Sequence, residues 1–274
     1  MSTVMSARVV VITGASSGIG AEIARQLAAK EGCSVNLVLA ARNAAQLDAV
    51  AGECAALGAQ TLCVPTDVGI QIQCRRLVIT ALERFGRIDV LVNNAGRSAH
   101  ALFEEVEDLS WYEELMRVNL WGSVWCTQAA LPALKASGGR IVAVSSLAGL
   151  VGVPGRTAYS ATKFAMTGFF EALRAEMKGH GVSVTTAYPG VVATRIRYRG
   201  FNAQGGEMGS SALKEEGAMS VEECARLIIA GMDGRKREVV MTAKGKIGRF
   251  LKLLAPRLVE KMALAALKQD VRPH

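Results

Sequence analysis

The stretch RVVVITGASSGIGAEIARQL, residues 8–27, decides the architecture. Arg8 to Thr13 reads as a strand, its Val9–Thr13 an unbroken β-branched run, the pattern of a strand buried on both faces of a parallel sheet. It turns through TGASSGIG, Thr13 to Gly20, into the helical stretch AEIARQLAAK. Where a strand turns into a helix beneath a dinucleotide, a Cβ would obstruct both the turn and the backbone's approach to a pyrophosphate seated at the helix N-terminus. Gly14, Gly18 and Gly20 meet that requirement with the spacing GxxxGxG rather than GxGxxG, and the absence of a following GK[ST] disfavours a nucleoside-triphosphate loop.

Outward from this unit, apolar runs alternate with helical patterns, the signature of repeated βαβ units. Strands are expected at Ser34–Ala40, Thr61–Pro65 and Ile88–Asn93, then at GRIVAVSS, VSVTTAYPG and REVVMT, seven with the first. Helices are expected at about Leu109–Lys135 and Ala158–Gly179. The reading is one doubly wound α/β domain over residues 1–242, with a lid at about 195–220 holding short helices, and a basic amphipathic extension over 243–274. A chain of 274 residues, half of them hydrophobic, can bury a core of that size.

Six cysteines lie scattered without a CxxC pair or a Cys/His cluster, so neither a disulfide framework nor a metal site is expected. No basic-then-apolar leader pattern precedes the first strand and no apolar run reaches spanning length, which together point to a cytoplasmic protein. The net charge of +8 is localised: residues 235–274 hold eleven Lys and Arg against three acidic residues, and the remainder holds 21 of each sign. With few aromatics and no recognition motif in that tail, nucleic acid is an unlikely partner.

The second strand ends in VLAARN. A carboxylate near this point favours NAD, whereas a 2′-phosphate requires a cation. Arg42 offers a planar, permanently charged fork, which favours NADP, although a solvated arginine at a strand end satisfies the same sequence. In AYSATKFA, Tyr159 and Lys163 stand one helical turn apart on one face. A phenol of unperturbed pKa near 10 suits proton transfer at neutral pH poorly, and a nearby ammonium favours its phenolate. A serine hydroxyl from Ser145 or Ser146 can then hydrogen-bond a carbonyl oxygen that gains charge on receiving hydride. Alone, the YxxxK pattern is more often a surface pair.

TGASSGIG, NNAG at Asn93–Gly96, the serine pair ahead of YSATK, and PGVVAT at Pro189–Thr194 occur in order, and together resemble the classical short-chain dehydrogenase/reductase family from about Arg8 to Thr242. The resemblance implies a Rossmann-type seven-stranded domain, a nicotinamide cofactor and an assembly of two or four copies through the long helices around Asn119 and Tyr159. It implies Tyr159 as general acid/base and Lys163 as its partner and a ribose contact. Ser146, thirteen residues before Tyr159, is then the catalytic serine, with Ser145 closing the strand, and Asn119 supports a water-borne proton relay or bends its helix. The cofactor set implied is Gly14, Ser16, Gly18, Ile19, Gly20 and Arg42, then Asp67 and Val68 at adenine, and Asn94, Ala95 and Gly96 along the adenosine ribose. Pro189, Gly190, Val192 and Thr194, with Tyr159 and Lys163, complete it at the nicotinamide end. Ser17 lacks the basic side chain some NADP-using members place in the glycine turn, so the NADP(H) expectation rests on Arg42.

The reaction expected is interconversion of a ketone or aldehyde and its alcohol, on a hydrophobic substrate. Leu150, Val151, Val153 and Pro154 are expected on the pocket floor, and the lid arginines 195, 197 and 199 allow an anionic end on the substrate. A non-catalytic NADP(H)-binding sensor is the alternative; a methyltransferase would have no need of Tyr159 and Lys163. In the tail, Leu258, Val259, Met262, Ala263, Ala266 and Leu267 gather on one side of a helix and Arg257, Lys261 and Lys268 on the other. Such a helix packs on the body, on a neighbouring subunit or over the pocket, or rests on an anionic membrane.

Overall fold

Val10 and Ile12 face one side of the first strand and Val9 and Val11 the other, and all four are fully buried. Two helical layers are therefore needed, each such side chain contributing about 1.5–3 kcal/mol on burial. The computed structural model describes residues 7–209 and 217–270. Strands β1 (Arg8–Thr13), β2 (Val35–Ala41), β3 (Gln60–Pro65), β4 (Val90–Asn93), β5 (Arg140–Val144), β6 (Ser183–Tyr188) and β7 (Glu238–Val240) form one parallel sheet in the order β3-β2-β1-β4-β5-β6-β7. One face carries α1 (Gly18–Glu31), α2 (Ala44–Ala56) and α7 (Val221–Asp233), and the other α3 (Gln71–Phe85), α5 (Gly122–Ser137) and α6 (Thr157–Met177). Strand order reverses between β1 and β4, so the crevice at their carboxyl ends is the natural ligand site.

The seven-stranded doubly wound domain is as the sequence predicts, with local departures that have identifiable causes. Strand β4 begins at Val90 rather than Ile88, because Asp89 Oδ2 accepts a hydrogen bond from Val9 N (2.8 Å) where a ladder carbonyl would otherwise stand. The helix expected from Leu109 to Lys135 is α4 (Ser110–Met116), a π turn at Arg117–Trp121, and α5. That turn carries Asn119, whose side chain is held from outside the helix, as described below.

Of the long loop at 195–220, residues 210–216 lie outside the described residues. The rest forms no helix, contrary to expectation: Gly205 and Gly209 adopt left-handed backbone, which suits turns. Phe201 N donates to Ser98 O (3.0 Å) and His100 N to Phe201 O (2.9 Å), while Ala101 N donates to Gly155 O (2.8 Å). Three segments thus close over the end of the sheet.

Beyond β7 come α8 (Ala243–Leu254) and α9 (Pro256–Asp270). Thr242 caps α8 by accepting from Gly245 N (3.0 Å). Lys252 Nζ donates to Leu150 O (3.1 Å), and Val151 faces Gly248. Val151 therefore turns toward α8, which also holds the main-chain carbonyl of Leu150, and of the four residues expected on the pocket floor only Val153 lines the cavity. The apolar side expected on α9 is divided: Leu258 and Met262 are exposed, whereas Leu267 approaches Gly155. The side chains of Ala266 and Lys268 lie outside the described residues.

Candidate active site

Thr13, the polar residue that closes β1, accepts hydrogen bonds at Oγ1 from the main-chain N–H groups of Asn94 and Ala95 (both 3.0 Å). Asn94 Nδ2 returns the contact by donating to Thr13 O (3.0 Å) and Gly14 O (3.2 Å). The end of β4 is thereby bolted to the glycine turn. A Cβ on Gly20 would stand 2.4 Å from Gly14 O and 2.5 Å from Asn94 Nδ2, and one on Gly14 would stand 2.8 Å from Ala95 Cα. These two glycines answer to protein packing, whereas Gly14 and Gly18 also take positive φ values of 67° and 54°. Ser17 precedes α1 without capping it through its side chain, so the first N–H groups of the helix remain available to an anion.

Asn119 is fully buried in the π turn. Its Oδ1 accepts from Arg97 N (2.8 Å), and its Nδ2 donates to Arg97 O (3.0 Å) and Thr162 Oγ1 (2.9 Å). One side chain thus ties the segment after β4 to α6. On α6, Lys163 Nζ donates to Val144 O (3.0 Å) and stands 5.7 Å from the centre of the Tyr159 ring. Burial holds the Lys163 ammonium below its usual pKa, with the Tyr159 phenol pulling the other way and Arg156 adding to the depression.

The serine pair divides its labour. Ser145 Oγ donates to Lys163 O (3.3 Å), while Ser146 Oγ accepts from Ala148 N (3.2 Å). A hydroxyl that only accepts keeps its own proton for another acceptor, so Ser146 is the member with a donor to spare.

These groups share a crevice of about 830 Å³. Gly14, Ser16, Gly18, Ile19, Arg42, Asp67 and Val68 line one end, Asn94, Ala95 and Gly96 the middle, and Ser146, Tyr159, Lys163, Pro189, Gly190, Val192 and Thr194 the other. Gly20 and Asn119 lie behind that wall, supporting the turn and the helix. Asp67 lines the crevice with its Oδ1 accepting from Gly69 N (2.8 Å); Arg42 has no ion-pair partner among the described residues.

Sequence reading gives no site role to Thr13, and it places Ser98 and Arg156 only within expected pocket segments, Arg97–Phe103 and Leu147–Arg156, without a contact for either; both line the crevice. The signal for Thr13 was a hydroxyl ending an otherwise apolar strand. Arg156 precedes Tyr159 by three residues, close to one helical turn, and its guanidinium lies 4.3 Å over the phenol ring.

A family model described as short chain dehydrogenase matches residues 8–204. The 11-beta-hydroxysteroid dehydrogenase 1A of Arabidopsis thaliana is 36% identical over 260 residues, covering 92% of this chain and 73% of that protein. The Dictyostelium discoideum dehydrogenase/reductase SDR family protein 7-like is 34% identical over 259 residues, covering 92% and 79%. Among solved structures, an alcohol dehydrogenase from the archaeon Thermococcus sibiricus, complexed with 5-hydroxy-NADP, superposes with a TM-score of 0.74 at 28% identity, covering 86% of this chain and 96% of that one. Fold, motif order and these likenesses converge: the chain belongs to the short-chain dehydrogenase family of oxidoreductases.

Proposed function

We propose that this chain is an NADP(H)-dependent oxidoreductase that interconverts a ketone or aldehyde and its alcohol, with Tyr159 as general acid/base. The observation that carries the reading is the meeting, in one crevice, of a bare glycine turn, an unpaired-for arginine at the ribose end and a serine, tyrosine and lysine at the other. The crevice fits the cofactor on its own chemistry. The open helix N-terminus after Ser17 suits the pyrophosphate, and Arg42 suits a 2′-phosphate. That the archaeal relative was solved with an NADP derivative supports the same choice.

When bound, the reduced nicotinamide supplies hydride to the carbonyl carbon. Tyr159 gives its phenolic proton to the carbonyl oxygen as negative charge builds there, and Ser146 donates its spare hydrogen bond to the same atom. Lys163 holds positive charge beside the phenol and restores its proton. The side chain of Asn119 is committed to Arg97 and Thr162, so a relay through this residue runs by its main-chain carbonyl, where Ser123 Oγ already occupies one lone pair (3.1 Å).

Trp111, Phe201 and Tyr159 belong to one apolar cluster beside the crevice, which supports a hydrophobic substrate, as do the relatives named for hydroxysteroids. Exposed Trp121 and Ile72 beside the long helices support a homodimer or homotetramer. The unpaired cysteines support a cytoplasmic setting, and the α8–α9 extension is read as part of the same domain with peripheral membrane contact through its exposed face.

The test compares wild type with Tyr159→Phe. Loss of the proton donor lowers NADPH-linked carbonyl reduction about 10²- to 10⁴-fold, while NADPH affinity, measured by tryptophan quenching, stays within a few-fold. Near-normal turnover in the variant overturns the assignment. Tight NADPH binding without turnover in wild type favours the sensor alternative.

A further inference from the structure

Arg156 stands at the entry to α6 with its guanidinium spread over the Tyr159 ring. Nη2 donates to Ser98 Oγ (2.6 Å) and Nε to Ala99 O (3.3 Å). Both partners are neutral, and both lie on the segment that Asn119 and Phe201 hold in place. Nη1 makes no hydrogen bond with the described residues, and the residue lines the crevice. Among the described residues no carboxylate pairs with Arg156. Burial holds its pKa below the usual arginine range, which marks the cation as short of solvation.

Among the described residues, no carboxylate lining this end supplies the missing charge. Besides Arg156, the described residues lining this end include Arg97, Arg195 and Arg199 against Glu114 and Glu207. Both glutamates face Arg97, at 3.0 Å and 4.0 Å. An anion arriving with the substrate would meet a fixed, partly desolvated guanidinium, where a charge-assisted hydrogen bond is at its strongest.

We infer that the substrate carries a carboxylate close to its reacting carbonyl, as in a 2- or 3-oxo acid with an apolar body, and that Arg156 Nη1 binds that carboxylate. This rests on the carbonyl-reductase reading for the place of the reacting carbonyl. Because the guanidinium overlies the ring of the proton donor, the anion it holds lies within a few bonds of the carbonyl. One free nitrogen suits one carboxylate oxygen, whereas a phosphate would demand more donors. The apolar remainder of the molecule falls toward Val153 and Ile196, which line the same region.

The probes are 2-oxo-4-phenylbutanoate and its ethyl ester, which differ in the charge under test. Binding to the NADPH-loaded protein is followed by calorimetry and turnover by NADPH absorbance, for wild type and for Arg156→Met, Arg156→Gln and Arg156→Lys. Wild type is expected to bind the acid at least about 10-fold tighter than the ester. The Met and Gln variants are expected to collapse the acid-to-ester ratio about 10- to 100-fold, the range of a hydrogen bond to a charged group, and Lys to recover part of it. Equal affinity for the two probes in wild type, or equal loss of both in the neutral variants, overturns the carboxylate site. Selective binding of the acid through Arg156 without NADPH oxidation keeps the site and breaks the reductase reading; equally efficient reduction of both probes does the reverse.

Discussion

Beneath the crevice, Thr13, Asn94 and Asn119 spend their side chains on neighbouring segments, on main-chain groups and, for Asn119, on the Thr162 hydroxyl as well, and Gly20 leaves no room for a single additional carbon. At the rim, Arg42 has no ion-pair partner among the described residues, and on the outer surface Ile247, Phe250, Leu253 and Leu254 of α8 are between 63% and 84% exposed. The floor is over-determined: Thr13, Asn94 and Asn119 are struts of the fold, so changes there are expected to act on shape and on any ligand together. The rim is under-determined by the fold. Changes there are expected to alter which molecule binds while the sheet stays as it is.

The largest effect expected from this contrast is at Gly20. Alanine would improve the intrinsic helix preference of α1 by about 0.5–1 kcal/mol. Against that gain, its Cβ would press on Gly14 O at 2.4 Å and Asn94 Nδ2 at 2.5 Å, and overpacking of this kind costs about 1–3 kcal/mol. The clash wins, so Gly20→Ala should lower the melting temperature and weaken NADPH and NADH alike. A raised melting temperature with normal binding of both would show that the turn can give way, and the floor would lose its claim to rigidity.

An intermediate effect is expected at Arg42, on the rim of the same crevice. Arg42→Asp removes a cation and adds a repulsive charge at the 2′-phosphate, so NADPH affinity should fall by at least about 10- to 100-fold. NADH affinity should change little, and the melting temperature of the free protein should hold. Parallel titrations of the two cofactors check this. Equal losses would mean that the residue supports the fold as Gly20 does, and the basis in this chain for preferring NADP would go.

The same contrast explains what could be read from sequence. The buried run at Val9–Ile12 and the glycine turn leave few alternatives, because a strand covered on both sides and a bare turn each demand particular side chains. Ser146, Tyr159 and Lys163 were legible through their spacing and company. Arg156 was not, since nothing in VPGRTAYS says that the guanidinium will fold back over the ring rather than into solvent; that depends on Ser98 and Ala99, more than fifty residues away in sequence. A helix bent at Asn119 is among the readings the sequence allows, but the groups that hold it there, Arg97 and Thr162, are hidden for the same reason. Leu150 and Val151 look like pocket residues in isolation, whereas in the fold α8 lies against Val151 and takes the main-chain carbonyl of Leu150.

The smallest effect on fold and turnover is expected from the α8 face. Its exposed apolar residues sit near Lys244 and Lys246, and Arg257 and Lys261 follow on α9, an arrangement suited to an anionic lipid surface, where apolar burial and cation attraction add. Lys252 is otherwise engaged, with its ammonium on Leu150 O and 4.5 Å from the Phe164 ring, so the helix is anchored to the body while its outer side remains open. Wild type should co-sediment at low salt with vesicles containing phosphatidylserine and less so as salt rises. The double variant Phe250→Glu, Leu253→Glu should abolish co-sedimentation, with kcat/KM on a water-soluble ketone within about two-fold of wild type, since surface changes of this sort leave the core intact. If wild type stays in the supernatant and the double variant instead changes the oligomeric state, the exposed face belongs to a second copy of the chain. Should the variant lose turnover on soluble ketones as well, α8 is a wall of the site through Leu147, which lines the crevice and packs on Gly245, and the division between floor and rim would have to be redrawn to include it.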